Sequence, residues 1–355
     1  MNILFAGKFE AGYNRTKVIL DGLEQLPGIQ VSFYNFRERS KWNLFALRKA
    51  CADADIIFLP SFTHKDVAWI KFFTRTPVIF DPLISRYLTK VFDYKQVKKR
   101  SLRGYKNFLK DKVAMHKADV VLCDTAAHRN YFHQTFQVPL SKLQVVEVGV
   151  NTTAFHPNTT AGRTQQPFTV GFYGGFIPLQ GTRYIIEAAN ILKNHTDIRF
   201  HLIGEGFEYK QMRHLAEVTY GLQHITFSGW CKYDVLNEAI NQFDICLGIF
   251  GDGLKADLVI PNKIYHYAAL QKAIITKDTP AIHEIFMPNK NIVLTKNDPQ
   301  EIADQILRLK ANAVQRESIA QMGYEIITNT YNHKVIAQKV VDIAQMLLST
   351  DKRTG

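Results

Sequence analysis

The sequence predicts an α/β protein of two doubly wound halves, each a parallel sheet covered by helices. Three observations carry this expectation. Apolar runs of strand length alternate with helix-length amphipathic segments from the first residues onward. The alternation stops once, between Gly149 and Pro167, in GVNTTAFHPNTTAGRTQQP. It then restarts with the same rhythm. Each parallel connection needs a crossover, so a repeated strand–helix order implies a parallel sheet. A break rich in Thr, Asn, Gly and Pro reads as a linker. The predicted domains are 1–150 and 168–330, joined by a linker at 151–167 and followed by a closing helical segment at 331–355.

In the first half NILFA (2–6) reads as a strand, followed by a loop from Gly7 to Tyr13 and a helix over 14–26 whose apolar spacing is Val18, Ile19, Leu23, Leu26. Strands follow at 31–36, 55–60, 77–81, 119–124 and 143–148, with helices at 43–53, 66–74 and 126–135 and helical sequence up to about Lys117. The second half gives strands in FTVGFYGG, RFHLIGEG, HITFSGW, DICLGIF, AIIT and NIVLT. Its helices fall at 181–193, 207–220, 232–241, from 261, and at 299–311 and 315–328. The last, about 333–348, has an apolar face of Val335, Ile336, Val340, Ile343 and Leu347.

With 355 residues and 46% hydrophobic content the chain buries one large core or two ordinary ones, and its length favours two. No segment approaches the roughly 18 uninterrupted apolar residues of a membrane span. MNILFAGKF enters a strand at once and carries no leader pattern, so a cytoplasmic location is expected. Cys51, Cys123, Cys231 and Cys246 lack metal-ligand or CxxC spacing and read as reduced thiols. No G-x-S-x-G or H-E-x-x-H occurs, which excludes the hydrolase and zinc-protease patterns built on them. The net charge of +12 is compatible with nucleic acid, an anionic membrane face or an anionic small substrate.

The stretch Leu247–Thr276, LGIFGDGLKADLVIPNKIYHYAALQKAIIT, reads as a buried strand, a Gly-rich charged loop, a helix opening on Pro261 and a further strand. Unpaired N–H groups and the dipole at a helix N-terminus attract anions. Lys255 and Lys263 bracket that point, which predicts a phosphate-bearing ligand there.

Several segments occur in succession: VGFYGGFIPLQGTRYIIEAANIL, FHLIGEGFEYKQM, ITFSGWCKYDVLNEAINQFDICLGIF and KADLVIPNKIYHYAALQKAIITKDTPAIHEIF. Over 145–345 they resemble the C-terminal domain of the group-1 family of retaining, nucleotide-sugar-dependent glycosyltransferases with the GT-B fold. That resemblance implies two Rossmann-like domains with a cleft between them, a donor held by the second and a glycan or lipid-linked acceptor by the first. It implies transfer with retained anomeric configuration and neither metal nor cofactor. The family's phosphate-clamping Arg and, five residues later, Lys correspond to Gly175 and Gln180, and its paired Glu positions to Leu258 and His266. The donor set implied here is therefore Gly174, Gly175, Gln180, Gly204, Glu205, Gly206, Trp230, Lys255, Asn262, Lys263 and His266. Two relocated lysines can replace two lost cations, since a charge-assisted hydrogen bond contributes roughly 1.5–3 kcal/mol.

Some of these residues carry a second reading. His266 is either a packed histidine or a ligand contact, and Trp230 either covers a base or caps the sheet. The glycines around Glu205 either let the chain turn after a strand or admit the nucleotide. In the first half Asp81 is either the acceptor's proton acceptor or a turn residue. Gly12, Asn14 and Arg15 are the other acceptor-side positions, with Arg15 facing phosphate or solvent. Residues 86–117 interleave cations with Tyr, Phe, Leu and Val, which fits a surface resting on anionic lipid, and no nucleic-acid-binding motif accompanies them. The expected function is synthesis of a surface polysaccharide or glycolipid, performed peripherally on the inner membrane face. The alternative is a non-catalytic nucleotide- or glycan-binding protein of the same fold.

Overall fold

The computed structural model describes residues 1–36, 43–158 and 167–351. Residues 159–166 of the expected linker and the last four residues lie outside that range. The chain divides into two units, Met1–Asn151 with Tyr331–Gly355, and Thr152–Thr330.

In the first unit β1 (Asn2–Gly7), α1 (Asn14–Leu23), β2 (Gln30–Asn35), α2 (Leu44–Ala52), β3 (Ile56–Leu59) and α3 (His64–Phe73) are followed by β4 (Val78–Phe80) and a π-helical turn at Leu88–Asp93. Then come α4 (Leu102–Lys117), β5 (Val120–Cys123), α5 (Ala126–Phe136) and β6 (Leu143–Val145). The strands form one parallel sheet in the order β2-β1-β3-β4-β5-β6. Central strands such as IIFL and VVLC are buried at every position, as strands covered on both faces must be. Side chains choose the helix starts. Asn43 accepts from Ala46 N–H, Ser101 from Gly104 N–H and Thr125 from His128 N–H, each satisfying one otherwise orphan donor. The helical run expected up to Lys117 is broken for this reason: Lys95 turns the chain at φ +52° and Ser101 starts a new helix.

One face of the sheet packs on α2 to α5 through Leu47, Val67, Met115 and Phe132. The other packs on α1 and on α13 (His333–Asp351), with Val18, Ile19, Ile336 and Val340 in one core. Gly22 sets the approach of those two helices. A Cβ there would stand 2.1 Å from the His333 carbonyl oxygen and 2.6 Å from Ala337 Cβ.

The second unit contains β7 (Phe168–Tyr173), α6 (Thr182–Ile191), β8 (Ile198–Ile203), α7 (Tyr209–His214), β9 (Ile225–Phe227), α8 (Tyr233–Asn241), β10 (Ile245–Leu247), α9 (Leu254–Leu258) and α10 (Asn262–Ala269). After them come β11 (Ala273–Lys277), β12 (Val293–Thr295), α11 (Pro299–Ala311) and α12 (Ala313–Thr330). Its parallel sheet runs β12-β11-β10-β7-β8-β9. The sequence missed α9 because five residues between glycine and proline carry too little periodicity to register.

Gly22→Ala is expected to destabilise the first unit by about 1–3 kcal/mol, because a methyl group against a backbone carbonyl has nowhere to relax. Denaturant unfolding followed by circular dichroism measures this. An unchanged midpoint would mean that α1 and α13 do not pack this closely.

Candidate functional site

The second sheet reverses strand order between β7 and β10, with β8 and β9 to one side of β7 and β10 to β12 to the other. Open parallel sheets bind ligands beyond their carboxyl ends at such a switch point. Backbone hydrogen bonds join the loops leaving four of these strands. Gly174 N–H donates to the Ile203 carbonyl (2.9 Å), Phe176 N–H to Glu205 (2.9 Å), Gly204 N–H to Gly229 (2.7 Å) and Phe250 N–H to Gln180 (3.0 Å). The loops after β7, β8, β9 and β10 therefore make one connected rim.

Lys263, in the first turn of α10, lies beneath that rim and is buried. Its Nζ donates to Gln180 Oε1 at 2.5 Å and stands 3.6 Å from the centroid of the Phe172 ring. It meets no carboxylate among the described residues. Removal from water holds its ammonium well below the ordinary lysine range. Gly174 keeps it reachable: at φ +150°, a Cβ would sit 2.6 Å from Nζ. Pro261, at the N-cap of α10, supplies no side-chain cap; its carbonyl accepts from Ile264 N–H, and the N–H groups left facing an acceptor are those of Asn262 and Lys263. A buried cation beside uncapped amides is an anion receptor in its chemistry.

The other expected donor residues divide by environment. Gln180 is buried against Lys263, Gly175 and Asn262 are half-buried on the rim, and Glu205 and Gly206 are exposed. Gly204 takes φ +137°, which supports the turn reading of that glycine. Trp230 is exposed, so it does not cap the sheet. Lys255 is buried on α9. Beyond the Gly204–Gly206 loop lies an open cavity of about 880 Å³ bordered by Glu205, Phe207, Lys210 and Arg213.

His266 requires a correction. Its ring stacks on Phe155 at 3.8 Å and on Tyr173 at 5.8 Å, and its Nδ1 shares a 2.5 Å hydrogen bond with the Tyr173 hydroxyl. Burial pushes the imidazole down to about 3, so it stays neutral. Buried against the Phe155 ring and hydrogen-bonded to Tyr173, it belongs to the packed interior. The apolar flanks of His266 in the sequence were compatible with this packing, but its partner Phe155 lies over a hundred residues away in the chain and was not legible.

Asp81 and Arg15 also need correction. Arg15 is fully buried, with Nε 2.8 Å from Asp81 Oδ2, Nη2 2.8 Å from the Val146 carbonyl and Nη1 on the Glu147 carbonyl. Asp81 Oδ1 accepts from Leu83 N–H. Both carboxylate oxygens are thus engaged inside the fold and the side chain is buried, and Arg15 faces neither phosphate nor solvent. The pair ties α1 to the ends of β4 and β6. Gly12 is exposed and Asn14 half-buried on the loop and helix start that precede it.

Among the described residues no three His, Cys, Asp or Glu side chains gather in a metal-binding arrangement.

Residues 167–312 match the family model described as Glycosyl transferases group 1. The matched residues all lie within the second unit. A protein named as an uncharacterized glycosyltransferase of Methanocaldococcus jannaschii is 23% identical over 236 residues, which cover 64% of this chain and 59% of that protein's length. Among solved structures, Anabaena HepE in complex with UDP matches with a TM-score of 0.74 at 15% identity, over 98% of this chain and 100% of that one. Sucrose-phosphate synthase of Thermosynechococcus elongatus matches with a TM-score of 0.76 at 12% identity, over 99% and 100%. At these identities the likeness is one of fold, and the fold is GT-B. Against the group-1 pattern the geometry adds one point: Gln180, which replaces the family's lysine, is held by the ammonium of Lys263. A cation from α10 thus reaches the neighbourhood that the motif leaves without one.

Asp81→Ala is expected to cost about 3–5 kcal/mol of stability, since it strands a buried guanidinium. Urea unfolding of the variant measures it. Retained stability with lost activity would instead restore Asp81 to a chemical role.

Proposed function

We propose that this chain is a glycosyltransferase that moves a sugar, with retention at the anomeric carbon, from a nucleotide diphosphate-sugar to a glycan or lipid-linked acceptor. The observation that carries the reading is the Lys263 ammonium, buried at the switch point of the second sheet without a counter-charge. A cation kept out of water without an anion is costly unless a ligand supplies the anion. The second unit's match to the group-1 family model and the UDP and UDP-glucose complexes of HepE support a nucleotide-sugar as that ligand.

In this reading the diphosphate lies over Gly174 and Gly175, facing Lys263 and the open amides of α10, with Lys255 as a second cation. As the glycosidic bond to phosphate breaks, negative charge grows on the leaving oxygen. A fixed ammonium in a water-poor setting stabilises it without reorganising at that moment. Glu205, Asn262 and Trp230 border the nucleoside. Gly12 and Asn14 belong to the acceptor side. We assign the acceptor to surface polysaccharide or glycolipid synthesis and the protein to the inner face of a membrane. The family's glutamates are absent at Leu258 and His266, and this favours the second reading, a nucleotide- or glycan-binding protein without transfer.

Lys263→Met is expected to weaken binding of nucleoside diphosphates roughly 10- to 150-fold, the equivalent of about 1.5–3 kcal/mol. Binding is also proton-linked. Burial lowers the pKa of Lys263 in the empty site, and a bound diphosphate raises it again, so the complex takes up a proton and affinity falls as pH rises through that interval. Calorimetry in two buffers of different ionisation enthalpy reads the uptake, and Lys263→Met abolishes it. By the same sign, the unfolded chain holds more protons than the empty folded protein in that interval, so stability without ligand rises with pH. If no nucleoside diphosphate in a thermal-shift panel stabilises the protein, the enzyme reading fails. Transfer of radiolabelled sugar to a lipid extract separates catalysis from binding alone.

A further inference from the structure

Residues 95–117 carry nine Lys or Arg and one acid, Asp111, which leaves +8 of the chain's +12 in a single segment. Asp111 is fully buried, so every exposed charge of the segment is positive. None of the nine forms an ion pair among the described residues. Repulsion is tolerated here: after burial, the charges of Lys65, Arg86, Lys90 and Lys106 push the Lys110 ammonium below the ordinary lysine range. A surface that keeps like charges together without neutralising them is complementary to an extended anion.

Large apolar side chains stand among these cations. On α4, Leu102 (82% exposed), Tyr105 (59%), Leu109 and Val113 recur at steps of three and four, which makes one outward stripe. On α3, which packs against α4, Lys65, Trp69 (56%) and Phe72 (78%) do the same. Lys65 on α3 and Lys110 on α4 repel each other, so the two packed helices bring cations together. Between the π-helical turn and the first turns of α4 a cavity of about 310 Å³ has ring walls from Tyr87, Tyr105 and Phe108 and two cations, Lys99 and Arg100, with Leu102 beside them.

We propose that the α3–α4 face docks on a bilayer of anionic phospholipid, with a lipid phosphate entering the Lys99–Arg100 cavity while Trp69, Phe72 and Leu102 enter the interface. Cations over headgroups and apolar side chains beneath them are what a helix lying in a membrane surface presents. Nucleic acid would satisfy the charges but not the aliphatic and Phe side chains, which would stay against water. Among the described residues no helix is long and apolar enough to cross a membrane, so the contact is peripheral. The inference deepens the membrane-side part of the proposed function and rests on it, but it does not depend on the donor site.

Cosedimentation of the full chain with vesicles of neutral phosphatidylcholine, or of the same lipid with 30% phosphatidylglycerol, tests it. Binding is expected to the anionic vesicles only and to weaken with salt. Lys99→Glu with Arg100→Glu should weaken it by roughly tenfold or more. A second exposed pair, Arg103→Glu with Lys106→Glu, should do the same, which guards against a folding defect in either. Trp69 fluorescence, read in a chain with Trp42→Phe and Trp230→Phe, should shift to the blue on anionic vesicles only. Equal binding to neutral vesicles, no binding to either, an unmoved Trp69 spectrum, or tighter binding to duplex DNA or RNA than to vesicles would overturn the proposal. Nucleotide stabilisation, measured on the two charge-reversal pairs, should remain at the wild-type level. Its loss in the wild type alongside intact vesicle binding would sink the donor reading and leave the lipid surface standing.

Discussion

A lysine ammonium held out of water with no carboxylate beside it is the constraint around which the second unit is arranged. Lys263 is placed by helix α10, which begins where the loop after β10 ends at Pro261. Its tip rests on the ring of Phe172 from β7, an arrangement in which the ring's electron-rich face offsets part of the desolvation. Gln180 supplies the remaining polar contact, and Gly174 leaves the space above open. Strand order brings these pieces together, because β7 and β10 are neighbours only at the reversal in the sheet. The backbone bonds among the surrounding loops then fix the rim above Lys263.

The first unit treats charge in the opposite way. Arg15 and Asp81 are buried and fully satisfied by each other and by backbone groups, and they join the start of α1 to the ends of two strands. Such a pair contributes through geometry more than through energy, since desolvation offsets much of its attraction. The cations of α4, by contrast, form no ion pair among the described residues. Two kinds of charge, one spent inside the fold and one held outside it, account for why the same unit contains both a buried ion pair and most of the excess positive charge.

The architecture was legible because it rests on local rules. The periods of the apolar residues marked the strands and most helices, and Asn43, Ser101, Thr125 and Asp298 announce helix starts through short-range capping chemistry. The position of Lys263 was also legible, as a cation at the opening of a helix after a Gly-rich loop. What was not legible were partners distant in the chain. Asp81 looks like a free carboxylate at the end of a strand until Arg15, 66 positions earlier, is seen against it. His266 looks like a ligand until Phe155 is seen stacked on its ring and the Tyr173 hydroxyl bonded to its Nδ1. Helix α9 was missed because its periodicity is too short to read.

By itself the sequence determined the strand–helix order, the break between its two repeated halves, the basic segment and the glycine and lysine pattern of the second half, because each depends on residues near one another in the chain. Only the tertiary structure decided which charges are free. Whether Arg15, Asp81, Lys263 or His266 can meet a ligand depends on what covers it, and the covering residues come from other strands and helices. Burial and pairing are properties of neighbours in space, and these neighbours exist only once the sheets have formed.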